Sequence, residues 1–217
     1  TGPPRWIAAV LVLVVAPAWT PAAAAAQDPA PGPPPVDTAG LSRGAFGAME
    51  MLYEATIFNV DVFTVRLELG VEEAARLQEA ARGRPWNGDT EDALAGLVLD
   101  ARNALVKVRF HRDVGLARFL EGMGTNVRNA REAGLLSEED EARLMADASR
   151  DFAPLEARGI REGDTFWYRL RGDSLHVAFQ ARDGTSLGEV RGHGPERRIA
   201  LLATYICLLY TSDAADE

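Results

Sequence analysis

Apolar residues recur at every second position from 52 to 69, "LYEATIFNVDVFTVRLEL". Successive side chains of a strand point to opposite faces, so this period predicts one long strand or a kinked pair. Ile57, Phe63, Val65, Leu67 and Leu69 fall on one face, and the same parity puts Asp61 among them. The period then lengthens to that of a helix over residues 72–82 and again over 90–103, with the turn-rich "GRPWNGD" between them. "ALVKVRFH" returns to period two.

Asp113 stands where an N-cap belongs, ahead of a helix predicted over 114–131. A second helix starts at Ser137, with Asp140 three residues on as its capping partner and Glu138 and Glu139 beside the positive end of the dipole. Then "DTFWYRLR", "SLHVAF" and "SLGEVR" give three short strands. The turn pairs Gly172-Asp173 and Asp183-Gly184 join them into an antiparallel meander. Pro195 and Glu196 open a last helix through "RRIALLATYI". The order of elements predicts an α+β domain without internal repeats.

The N-terminal "PPRWIAAVLVLVVAPAWTPAAAAAQ" places one arginine before an apolar run over residues 6–16, then a proline and a run of alanines. This order predicts a cleavable secretory signal peptide over 1–26, because the apolar run is too short to span a bilayer. The protein is therefore expected in the periplasm or outside the cell, with no stable membrane span after cleavage. "DPAPGPPPV" follows within a Pro/Ala-rich linker over 27–40, and the folded domain is expected over 41–206.

With 217 residues, 47% of them hydrophobic and 25% charged, the chain has material for one domain with a sizeable core. Its net charge of -9 is spread along the chain, and no block of Lys and Arg carries interleaved aromatics, which argues against nucleic acid as a partner. His111, His176 and His193 lie apart without ligand spacing, so neither a metal nor another cofactor is expected. "GEVRGHG" reads as a turn, Trp167 and Tyr168 as sheet residues facing opposite sides, and Glu138, Glu139, Asp140 and Glu141 as a solvated helix start.

The order of "VFTVRLEL", "KVRFHRDVGLARFLEGM", "ASRDF", "GDTFWYRL" with "LHVAF", and "ALLATYI" resembles the chalcone isomerase-like family, in its exported bacterial branch. The resemblance implies an open-faced sandwich, a large antiparallel sheet covered on one face by helices, with a ligand cleft between the layers. In that family the helix matching "ALLATYI" is followed by glycine and a further helix. Here "CLLYTSDAADE" follows, residues 207–217, which matches the translation of a transposase sequencing adapter. The tail is thus expected to be foreign and the domain truncated at its C-terminus. It holds Cys207, the single cysteine, so no disulfide or thiol chemistry is expected.

The plant isomerases add a phenolate to an enone using an arginine, a threonine, a tyrosine, an asparagine and a second threonine or serine. Carried over residue by residue, the asparagine falls on Asn126 and the last threonine on Thr204. The tyrosine falls on Phe119, seven residues before Asn126, the first threonine on Asp61, and the arginine near Met49, with Arg43 the nearest arginine. That chemistry needs positive charge and donors aimed at a developing oxyanion. A carboxylate about 4 Å from a phenolate, at an effective dielectric near 20, instead repels it by roughly 4 kcal/mol.

The resemblance therefore implies a non-catalytic cleft for a small apolar or amphipathic ligand, fatty-acid-like or flavonoid-like, lined by Asp61, Phe63, Phe119, Met123, Asn126 and Thr204. Two alternatives stand beside it. One is an isomerase or lyase with a rearranged site, in which Asp61 is a general base beside Asn126. The other is an accessory protein that docks a protein partner. Asp61 could equally be a strand carboxylate that reaches solvent or pairs with an arginine.

Overall fold

The period-two stretches lie in a six-stranded sheet, and the apolar parities of its second to fifth strands coincide, so that one face of these strands is almost entirely hydrophobic. In this computed structural model, residues 34–44, 46–55, 60–85 and 87–211 are described. The strands are β1 (Ala48–Ala55), β2 (Val60–Leu69), β3 (Asn103–Phe110), β4 (Thr165–Arg171), β5 (Ser174–Gln180) and β6 (Ser186–His193). They pair in sequence order, every pair antiparallel. The helices are α1 (Val71–Ala81), α2 (Gly88–Leu99), α3 (Leu116–Glu132), α4 (Glu138–Asp151) and α5 (Pro195–Thr211), and a 3-10 turn covers Ala153–Leu155.

Register sets the core. One row across the sheet pairs Val65 with Val108, Val108 with Phe166 and Phe166 with Phe179. The next runs Leu67, Val106, Tyr168, Val177 and Val190. Phe166, Val106 and Leu170 are fully buried. Burying side chains of this size contributes roughly 2 to 3 kcal/mol each. Leu77 of α1, Leu94 and Val98 of α2, and Leu201 and Leu202 of α5 join the same core, which places the helices on this face. The row ends at Gly188, where a Cβ would come within 3.2 Å of Pro154; its φ of 141° and missing side chain let the 3-10 turn close on β6.

The opposite face carries a smaller cluster of Leu105, Trp167 and Ala178, to which Val36 and Leu41 are added. Residues ahead of Leu41 thus pack as part of the fold. Arg169, buried on this face, donates from Nε to the Asp37 carbonyl (2.6 Å) and from Nη2 to the Ala39 carbonyl (3.0 Å), and Arg171 pairs with Asp37. The two-layer α+β architecture, with helices on one sheet face, is the one expected.

Several local expectations change. The stretch 52–69 is split between β1 and β2, which pair as antiparallel neighbours. The helix expected to reach residue 103 ends at Leu99, because Glu73 accepts the backbone N–H groups of Arg102 (3.3 Å) and Asn103 (3.1 Å) and draws the chain into β3. Asp113 caps no helix. Its carboxylate accepts from the Glu162 backbone N–H (2.8 Å), Val114 bridges to Ile160, and α3 starts from Gly115. The capping box of Ser137 and Asp140 is present. Residues 1–26 and the start of the linker lie outside the described residues, as do 212–217, while the backbone of α5 continues to Thr211. Among the described residues no helix is long and apolar enough to cross a membrane.

Asp164 fixes the entry to β4. Fully buried, it accepts from Arg158 Nη1 (2.6 Å) and Nη2 (3.2 Å) and from the Arg161 backbone N–H (2.8 Å), while its own carbonyl receives the Phe110 N–H (3.0 Å). Removing one partner of a buried pair strands the other. Asp164→Ala is expected to lower stability in urea by about 3 kcal/mol, near the low end for such pairs because Arg158 keeps some solvent contact. A loss below about 1 kcal/mol would show that the pair does not anchor this strand.

Candidate functional site

Two helical stripes face the sheet. On α3, Phe119, Met123, Asn126 and Val127 recur at the spacing of one helix face; on α5, Arg197, Leu201, Thr204 and Tyr205 do the same. Both stripes and the inner face of the sheet line a cavity of about 820 Å³. Gly122, exposed on α3, lies at its rim, and a Cβ placed there would meet no heavy atom within 4 Å.

One end of the space is closed by phenylalanines. Phe110 and Phe166, and Phe166 and Phe179, stack edge to face with centroids 4.9 Å apart. Phe119 reaches this group from α3, 5.3 Å from Phe152 and 5.7 Å from Phe166. Phe119 is therefore a ring wedged among other rings.

Polar groups enter the lining at a few points. Tyr168 from the sheet and Tyr205 from α5 are both buried, with ring centroids 6.3 Å apart. Burial pushes both phenols well above the usual tyrosine range. Both stay protonated at physiological pH. Half-buried Asn126 and Thr204 also line the cavity, and neither makes a side-chain hydrogen bond among the described residues.

Arg197 is the inner cation, and it is already engaged. It donates from Nη1 to Asp151 Oδ2 (2.8 Å) and from Nη2 to Asp147 Oδ2 (2.5 Å), tying α5 to α4. Desolvation would lower its pKa, but the two carboxylates more than offset this and raise it. The other cations on the lining, Arg112 and Arg118, are exposed at the mouth, with Asp113 and Glu121 beside them.

Of the residues expected from the sequence, Phe63, Phe119, Met123, Asn126 and Thr204 line this one cavity. The side chain of Asp61 lies outside the described residues. Its backbone pairs with Glu54, one step after Tyr53 pairs with Phe63, so β2 carries an extra residue, Val62. Val62 and Phe63 both line the cavity, so alternation breaks there and parity with Phe63 no longer fixes the face of Asp61.

Tyr168, Tyr205 and Arg197 were not among the expected lining residues. The signals for them exist: Tyr168 shares its parity with Phe166, and Tyr205 lies eight residues, two helical turns, after Arg197. Trp167 and Tyr168 do face opposite sides, in the outer and inner clusters respectively. The histidines make surface contacts, His111 with Thr64 (2.6 Å), His176 with Glu189 (2.8 Å) and His193 with Ser174 (3.2 Å). Among the described residues no group of His, Cys, Asp or Glu is placed to hold a metal ion.

No family model matches the chain, and no curated protein matches it. Among solved structures it is similar to a fatty-acid binding protein of Arabidopsis thaliana, with a TM-score of 0.46 and 12% identity over 79% of this chain and 89% of that one. A likeness at that level leaves the chemistry to be read from the cavity itself.

The Arg197 clamp sets a pH dependence. Desolvation pushes the Asp147 carboxyl up, but hydrogen bonds from Arg197 and Arg150 more than offset it, so its folded pKa lies below the ordinary value. A depressed carboxylate contributes stability that is complete above its unfolded pKa, about 3.9, and is lost as the pH falls through the folded value. Urea melts from pH 6 to pH 2.5 are expected to show this loss below about pH 4, with a shallower acid limb in Arg197→Met. An identical acid limb in the two proteins would remove the clamp from the account.

Proposed function

We propose that the protein is an exported, non-catalytic member of the chalcone isomerase-like family that binds a small apolar or amphipathic molecule, fatty-acid-like or flavonoid-like, between its sheet and its helices. The observation that carries this reading is the cavity of about 820 Å³ between the two layers, whose lining is mainly apolar, with its charged groups paired at Arg197 and Asp151 or exposed at Arg112, Asp113, Arg118 and Glu121. Its size and lining suit a small-molecule site. Export is supported by the signal-like order of residues 1–26.

The absence of catalysis is supported by the charge arrangement. Adding a phenolate to an enone brings one anion into the site and makes another, which calls for positive charge inside the cavity beyond neutral donors such as Tyr168, Tyr205, Asn126 and Thr204. Arg197 is tied to two carboxylates, and Phe119 contributes a ring without a hydroxyl. Cyclisation of 2′-hydroxychalcone in the presence of the protein is accordingly expected at the spontaneous rate. Acceleration that disappears in Asn126→Ala would establish an isomerase instead.

Binding is tested with N-phenyl-1-naphthylamine, an uncharged apolar probe whose fluorescence rises in dry surroundings. The protein is expected to take up one equivalent saturably, and Gly122→Leu, which extends a side chain from the rim, to weaken uptake at least tenfold. Replacing a helical glycine should leave stability unchanged or raise it by up to about 1 kcal/mol. Probe binding that is absent, or indifferent to Gly122→Leu, would contradict a ligand site in this cavity.

A further inference from the structure

If the cavity is a ligand site, its buried polar groups also select the chemistry of the ligand end that enters. Tyr168 and Tyr205 form the most deeply buried polar pair on the lining. Two hydroxyls carry two protons, so the pair keeps at least one O–H to donate whether or not the two bond each other. Thr204 lies next to Tyr205 on α5, and the side chains of Asn126 and Thr204 have donors with no partner among the described residues. All of these groups are neutral.

A ligand carboxylate would fare badly here. Arg197, the inner cation, already holds Asp147 and Asp151, and Asp151 itself lines the cavity. A third carboxylate would meet two others around one guanidinium and would lose its hydration without a free cation in return. The remaining lining cations, Arg112 and Arg118, stand at the exposed mouth with Asp113 and Glu121. An anionic head can be accommodated there only by pointing outward.

We propose, on the reading of the cavity as a ligand site, that its buried end receives an uncharged hydrogen-bond-accepting group, a carbonyl, ester or alcohol oxygen, held by the Tyr168–Tyr205 pair with Asn126 and Thr204, and that it discriminates against the matching carboxylate. The ligand class is thus the neutral amphiphile rather than the free acid. Burial serves the same end by keeping both phenols in their donating form.

The test is displacement of N-phenyl-1-naphthylamine from the full chain at pH 7.5 by methyl laurate, dodecan-1-ol and lauric acid. The ester and the alcohol are expected to displace the probe at concentrations at least tenfold below that of the acid. Tyr205→Phe and Tyr168→Phe, which remove one oxygen at nearly constant shape, should each weaken the ester and alcohol about tenfold, the effect of one buried hydrogen bond, and leave the probe and the acid unchanged. Laurate displacing as well as the ester, or a loss in the tyrosine variants shared equally by every ligand, overturns the head-group assignment while the cavity reading stands. A chain that binds no probe overturns both.

Discussion

The row of Val65, Val108, Phe166 and Phe179, which four adjacent strands send to the same face, has to be kept from water, and the architecture follows from how this is done. An antiparallel meander supplies no crossover helices between its strands, so the cover must come from the segments that leave the sheet after β2, β3 and β6. The helices α1 and α2 close one part tightly with Leu77, Leu94 and Val98. Over the rest, α3, α4 and α5 reach the core through Phe119, Phe152 and Leu201 and leave the space unfilled. The cavity exists because the cover is held off the sheet by rings and by the Arg197 clamp between α4 and α5.

Much of this was legible in the chain. Alternation located β3 to β6, the pairs Gly172-Asp173 and Asp183-Gly184 located two of the hairpins, and Ser137 with Asp140 located the start of α4, because each depends on neighbours only a few residues apart; the hairpin of β1 and β2 was missed. The failures share the opposite cause. Asp113 has the chemistry of a cap but is engaged by Glu162, 49 residues away, and the end of α2 is set by Glu73, about 30 residues away. Arg169 is buried on the outer face because it binds the Asp37 and Ala39 carbonyls, more than 120 residues before it. Tertiary partners overrode local preference at each of these points.

The site divides along the same line. The resemblance to the chalcone isomerase-like family led to Phe119, Met123, Asn126 and Thr204 on the helices and Phe63 on the sheet, which the fold gathers around one cavity. It gave no reason to look at Tyr168 or Tyr205, since a phenol was sought at the position of Phe119. The hydroxyls enter instead from β4 and α5, and only the pairing of the two layers brings them together. Asp61 shows the limit of parity as a guide: one extra residue in β2, Val62, is enough to uncouple it from the alternation of the rest of the strand.

The most direct measurement is a crystal structure of the protein soaked with dodecan-1-ol. The account predicts continuous density between α3, α5 and the sheet, reaching the rim at Gly122, with the ligand oxygen about 3 Å from the hydroxyl of Tyr168 or Tyr205. A structure in which Phe119 and Met123 fill the space and the alcohol is absent from it would contradict the claim that this cavity is a binding site.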